Sequence, residues 1–184
     1  GLGDVYKRQP LFVKKEKSVR AKKSKYYSKK DYEIAKVALR NMEPRKWTSA
    51  EKTAKKARDK SIYNFIRWKH LLTTGNQLPF YEYKRFIELN PKYPRINRIK
   101  YLAEHKMSIN DLSPNFIIEW FNKNQPLSGF GKIVLGQAHL SQGKSAEGIK
   151  LIKEGWVTAD LTRNDMKFFR KKFKKILDSN DYIK

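Results

Sequence analysis

Cysteine is absent from this 184-residue chain, which excludes a disulfide framework and any thiolate metal site but fixes no compartment. Histidine is scarce. His70, His105 and His139 lie 35 and 34 residues apart, never at the i, i+4 spacing that would put two ligands on one helical face, so they read as partly buried helix side chains. No run of eighteen apolar residues occurs, so no stretch reads as a membrane-spanning helix. Strict apolar–polar alternation never persists beyond a few residues, which leaves no strand to propose. Negative charge is also thin, with 18 Asp and Glu against 42 Lys and Arg.

That last imbalance gives a formal net charge of +24. Residues 10–60 hold 18 basic and 6 acidic side chains, and residues 61–184 hold 22 and 11. The excess is densest in KKEKSVRAKKSKYYSKK. A field of this sign attracts polyanions such as nucleic acid, an anionic lipid surface or an acidic wall polymer. Lysine on solvated helix faces accounts for much of it without any partner. No recognised nucleic-acid-reading module is present.

What is there in strength is helical periodicity. Residues 128–160, SGFGKIVLGQAHLSQGKSAEGIKLIKEGWVTAD, read as two helices back to back. The first covers about 129–142, with Ile133, Leu135 and Leu140 apolar. Gly143 follows, where a helix end favours a residue without a Cβ. The second starts after Ser145, read as its cap, and carries Ile149, Ile152 and Trp156 at helical spacing. A glycine inside a helix costs roughly 1 kcal/mol against alanine. Gly136, Gly148 and Gly155 therefore imply a compensating close approach of two antiparallel helices. They stand where a tetratricopeptide repeat keeps its small residues. Leu135–Gly136 is similar to that repeat's Leu-Gly pair, and Ile152 to its large apolar plug.

The rest of the chain reads the same way. Residues 10–27 are polar, basic and aperiodic, and are expected to be flexible. Ser28 and Asp31 form a capping box for a helix to about Met42, with Ile34, Val37 and Ala38 on one face, and Pro44 ends it. Thr48 and Glu51 form a second box, opening a short Ala-rich helix to about Arg58. Residues 61–72 make a third helix with Ile62, Phe65, Ile66 and Leu72 inward and Trp68 flanking. Gly75-Asn76 marks a turn. Pro79 opens a helix with Tyr83, Phe86 and Ile87 in line, closed by Asn90-Pro91. Pro94 is placed at the first position of the next, which carries Ile96, Ile99 and Leu102. Ser113-Pro114 is an N-cap followed by a helix-opening proline, leading to Phe116, Ile117, Trp120 and Phe121. After the glycine hairpin, Thr162 and Asp165 begin a helix aligning Met166, Phe169, Phe173 and Leu177, and residues 181–184 read as the first turn of another.

Apparent chemical motifs dissolve on this map. AHLSQGKS, 138–145, fits a loose phosphate-loop pattern, but a phosphate loop follows a strand, and here a helix precedes it. Glu82, Glu88, Glu104, Glu119, Glu147 and Glu154 read as a solvated helix face beside Lys or Arg. No carboxyl stands out as the raised-pKa acid that glycoside chemistry needs. Trp120 and Trp156 read as core, although aromatics beside lysine also stack on bases or sugars.

Three stretches, in order, resemble the N-terminal superhelical domain of bacterial soluble lytic murein transglycosylases. They are residues 83–94, YKRFIELNPKYP; residues 129–161, with the Leu-Gly, Gly-Lys, Ile-Lys-Glu-Gly-Trp and Ala-Asp-Leu elements; and residues 168–183, similar to the family's segment before an Asp-opened helix. The resemblance implies a periplasmic protein whose superhelix forms a ring or U that admits glycan strands. Its partners would be peptidoglycan glycan strands and a catalytic domain further along the same chain. In that family a Glu-Ser pair supplies the catalytic glutamate, which releases 1,6-anhydro products. No Glu-Ser dipeptide occurs here, so no catalytic residue is assigned, and no cofactor or metal either. Residues 1–9, GLGDVYKRQ, resemble a translated sequencing adapter and are set aside as foreign.

The resulting expectation is an all-α chain: an α-solenoid of antiparallel, tetratricopeptide-like hairpins over residues 28–184, cut before its catalytic domain. Leu135, Gly136, Gly148, Ile152, Gly155 and Trp156 are its helix-packing residues. The alternative is a basic helical-repeat module that binds nucleic acid or a partner protein.

Overall fold

The computed structural model describes residues 24–178 and Asp181. The adapter-like leader, most of the basic segment 10–27 and nearly all of the helix expected over 181–184 lie outside the described residues. Among the described residues the chain is all-α, with no strand. Its helices are α1 (Lys29–Met42), α2 (Trp47–Ala54), α3 (Ser61–Leu72), α4 (Phe80–Leu89), α5 (Ile96–Glu104), α6 (Pro114–Lys123), α7 (Gly129–Ser141), α8 (Ser145–Thr158) and α9 (Arg163–Lys172).

Side-chain chemistry sets several of these starts. Ser28 Oγ accepts from the Asp31 N–H at 3.1 Å, Ser113 Oγ from Phe116 and Ser128 Oγ from Gly131. Each satisfies one of the N–H groups that a helix start leaves without a partner. Thr162 goes further: its hydroxyl accepts from the Asp165 N–H at 3.1 Å and donates to the Asp165 carboxylate at 2.6 Å. Thr162→Ala is expected to cost about 1 kcal/mol, read as a lower urea midpoint with an unchanged denaturant slope.

Four expected starts are corrected. Thr48 and Glu51 form no capping box. α2 starts one residue before Thr48, behind an uncapped Lys46, and Glu51 turns to Arg67 and His70. Pro94 does not open α5, because Arg95 takes a left-handed φ of 58° and delays the helix to Ile96. Pro79 is the N-cap of α4 and not its first helical residue. Ser145 does not cap α8; Lys144 holds that position with no side-chain bond, and the Ser145 N–H donates to the Gly143 carbonyl across the tight turn.

Packing runs mainly between helices adjacent in sequence, in three apolar clusters. The first joins α1, α2 and α3 through Ala35, Ala38, Ala50, Ala54 and Ala57 with Ile62 and Ile66. Here the expected face of α1 is corrected: Val37 is exposed, and the small Ala35 and Ala38 lie inside. Alanines let helix axes approach closely, and Val37 and Leu39 are turned outward while Ile34 packs at the edge. The second and largest cluster spans α3 to α7 around Leu71, Tyr83, Ile99, Ile117, Trp120 and Phe121. On α3, Leu71 takes the fully buried place, Phe65 is exposed and Leu72 is only partly covered. The third joins α7 and α8 to α9 and the residues after it through Ile133, Ile152, Trp156, Phe169, Phe173 and Leu177. Met166 and Ile149, both expected inward, are exposed.

Candidate functional site

The predicted packing residues converge on the seam between α7 and α8. Gly129 and Gly136 are seven residues apart on α7, and Gly148 and Gly155 seven apart on α8. Seven residues are about two helical turns, so each pair lies on one face. The helices run antiparallel and the pairs meet crosswise. A Cβ on Gly136 would stand 2.8 Å from the Gly148 carbonyl oxygen, and one on Gly155 2.5 Å from that of Gly129. Both distances are far inside van der Waals contact, so backbone touches backbone where only hydrogen fits. Ile152 is fully buried between the two contact points, and Trp156 is buried beside it, its Nε1–H donating to the Asp181 carbonyl at 2.8 Å. Leu135 is half-buried and packs toward the α3–α7 cluster. Gly129 was the missed fourth corner, although its spacing from Gly136 repeats that of Gly148 and Gly155.

Glu104 overturns its expected place on a solvated face. It ends α5 and is 2 % exposed. One carboxylate oxygen accepts from the Leu127 N–H at 2.7 Å; the other accepts from the Ser128 N–H at 2.8 Å and from the Ser128 hydroxyl. The same hydroxyl caps α7. Glu104 therefore pins the start of the glycine hairpin to the end of α5. Gly131 leaves room for it, since a Cβ there would collide with the carboxylate. Burial pushes the Glu104 carboxyl above its ordinary value, and the donors from Ser128 and Leu127 pull it down without cancelling the rise. A raised carboxylic acid is what glycoside chemistry uses, but both oxygens of this one are occupied by backbone and a cap.

A second buried polar cluster joins α2, α3 and α4. Arg67, buried on α3, donates to both oxygens of Glu51 at 2.9 and 3.0 Å and to Glu82. His70 Nδ1 lies 2.7 Å from the same Glu51, and its ring stacks on Trp47 with centroids 4.8 Å apart. Burial alone would raise the Glu51 carboxyl, but hydrogen bonds from His70 and Arg67, with the guanidinium charge, hold it below its ordinary value. Arg67 keeps its proton more firmly than a free guanidinium, its ion pairs outweighing its burial. Beside this cluster opens a groove of about 250 Å³.

The remaining glutamates divide. Glu88, Glu119 and Glu154 pair with Lys84, Lys123 and Lys132, as a solvated face does. Glu147 lies 3.6 Å from Nε2 of the buried His139. His105 stacks on Phe130, its Nδ1 2.9 Å from the Tyr101 carbonyl. Among the described residues no three His, Cys, Asp or Glu side chains cluster as a metal site would require. Residues 138–145 run from helix through a glycine turn into helix, with no strand ahead of them. None of the described helices is long and apolar enough to cross a membrane.

Cations dominate the surface of α9 and the turn after it: Arg163, Lys167, Arg170, Lys171, Lys174 and Lys175 are all exposed. Exposed Phe168 lies among them with the Lys172 ammonium 5.4 Å from its ring. No protein-family model matches the chain, and neither a curated protein nor a solved structure does.

Proposed function

We propose that this chain is a non-catalytic helical scaffold that binds peptidoglycan, a segment of a lytic-transglycosylase-type superhelix working in the periplasm. The observation that carries the reading is the crosswise glycine seam. Residues 129–161 hold the most detailed of the three resemblances, and within them Gly136, Gly148 and Gly155 lie at close backbone contacts with Ile152 and Trp156 buried beside them, which supports the reading. Hairpins of this kind stack on one another, each burying the face its neighbour leaves open. In this reading the hairpins arrange as an arc.

Wall binding follows from charge. The stem peptides of peptidoglycan carry carboxylates, and the cations of α9 offer a loose, diffuse counter-surface for them. The scaffolding half is supported by Glu104, the buried acid with a raised carboxyl, whose oxygens are committed to Leu127 and Ser128 and serve packing.

Co-sedimentation with purified sacculi tests the proposal. The chain is expected to pellet with sacculi at low salt, to be released as salt screens the exposed cations, and to liberate no anhydro-muropeptides. Anhydro products would overturn the non-catalytic part. Failure to pellet, together with nanomolar retention of RNA or DNA in a gel shift at physiological salt, would overturn the wall reading in favour of nucleic-acid binding through the Phe168–Lys172 surface.

A further inference from the structure

We infer that the groove between α2, α3 and α4 binds a small monocarboxylate with an apolar substituent, such as the free C-terminal end of a peptide. Its volume of about 250 Å³ falls just under the roughly 300–1,000 Å³ of drug-sized sites, so the occupant is small. Charge decides its sign and valence. Arg67 lies in the wall but is already committed to Glu51 and Glu82. Lys55 and Arg85 line the same groove, and among the described residues no carboxylate pairs with either. Lys55 instead has its ammonium 5.3 Å from the Tyr63 ring. The three cations and two carboxylates leave a single net positive charge, enough for a monoanion. A dianionic phosphate would have to approach Glu51 and Glu82 with only that one charge in its favour.

The other half of the site is apolar and amphiphilic. Leu89 stands at the groove 71 % exposed, close to the buried Phe86. An aliphatic side chain against Leu89 and the Tyr63 ring would leave its carboxylate among Lys55, Arg85 and the Asn64 side-chain amide, which makes no hydrogen bond of its own among the described residues. This inference stands apart from the wall reading, since none of the groove's residues belongs to the glycine hairpin or to α9.

The test is a titration of the isotope-labelled chain with N-acetyl-alanyl-leucine, followed by NMR. Saturable shifts are expected at Asn64, Arg85 and Leu89. The C-terminal amide of the same peptide, which lacks the charge, is expected to bind about tenfold more weakly. Lys55→Gln and Arg85→Gln should each weaken the free acid by a similar factor, with the helical circular dichroism unchanged because both side chains are exposed. Equal binding of acid and amide, tighter binding of inorganic phosphate, unchanged binding by both variants, or no saturable shift at millimolar peptide would each overturn it.

Discussion

Gly155→Ala is expected to destabilise the chain by about 3 kcal/mol, although alanine is the better helix former by about 1 kcal/mol. The new methyl would lie 2.5 Å from the Gly129 carbonyl oxygen, 2.8 Å from an Ile133 side-chain carbon and 3.0 Å from the Ile133 nitrogen. Two of those three atoms are backbone, and backbone cannot swing aside as a side-chain tip does. α7 and α8 would have to separate, opening space around Ile133 and Ile152, which are fully buried. In a thermal melt the loss should read as a fall of about 6–12 °C for a chain of this size. Gly143→Ala supplies the contrast. Nothing lies within 4 Å of its Cβ position, so only its φ of +78° opposes the change, at about 1–2 kcal/mol. Gly129→Ala combined with Gly155→Ala should cost less than the sum of the single changes, because the two sites share one contact and the first methyl already parts the helices. A neutral or stabilising Gly155→Ala would mean the seam is not closed.

Much of this hairpin was legible because its information is local. Glycine spacing, a turn glycine and a helical stripe all fall within 33 residues, and the same holds for the Ser113–Pro114 and Thr162–Asp165 starts. Helix faces were read less well where size outranks hydropathy. On α1 the seam wanted alanine, so Val37 lost its expected place to Ala35. Helix starts were misread where backbone conformation replaces a side-chain cap. Arg45 and Arg95 each follow a proline and take a left-handed φ, near 59° and 58°, which no propensity for arginine suggests. The polar clusters were not legible at all. Arg67 finds Glu51 and Glu82 sixteen and fifteen residues away, and Glu104 finds Leu127 and Ser128 twenty-three and twenty-four away. Nothing in the neighbouring residues distinguishes those glutamates from the ones that pair with lysine on the surface. Asp31 is a similar case. It was read as half of a capping box, yet its buried carboxylate accepts from the Arg58 and Asp59 N–H groups and ties α1 to the turn before α3.

Glu104→Ala is expected to cost about 4 kcal/mol, because it strands the Leu127 and Ser128 N–H groups and the Ser128 hydroxyl in a buried place. Glu104→Gln keeps the shape and should cost about 1–2 kcal/mol, since one N–H must then face its amide nitrogen. The pair separates the anchor from its charge. Burial raises the carboxyl above 4.5 in the folded chain, so between that value and the raised one the folded state holds more proton than the unfolded state. Stability from this group is therefore fully present below the unfolded value and declines as pH rises through the folded one. The glutamine variant has no such titration, and the chain's other groups cancel in the comparison. The wild-type advantage over Glu104→Gln should accordingly narrow between pH 4 and pH 7, measured by urea unfolding at each pH. A widening advantage would show that the three donors outweigh burial and that the anchor is built for the anion. A flat difference would mean that burial and the three donors offset each other, and the Glu104→Ala loss alone would then measure the anchor.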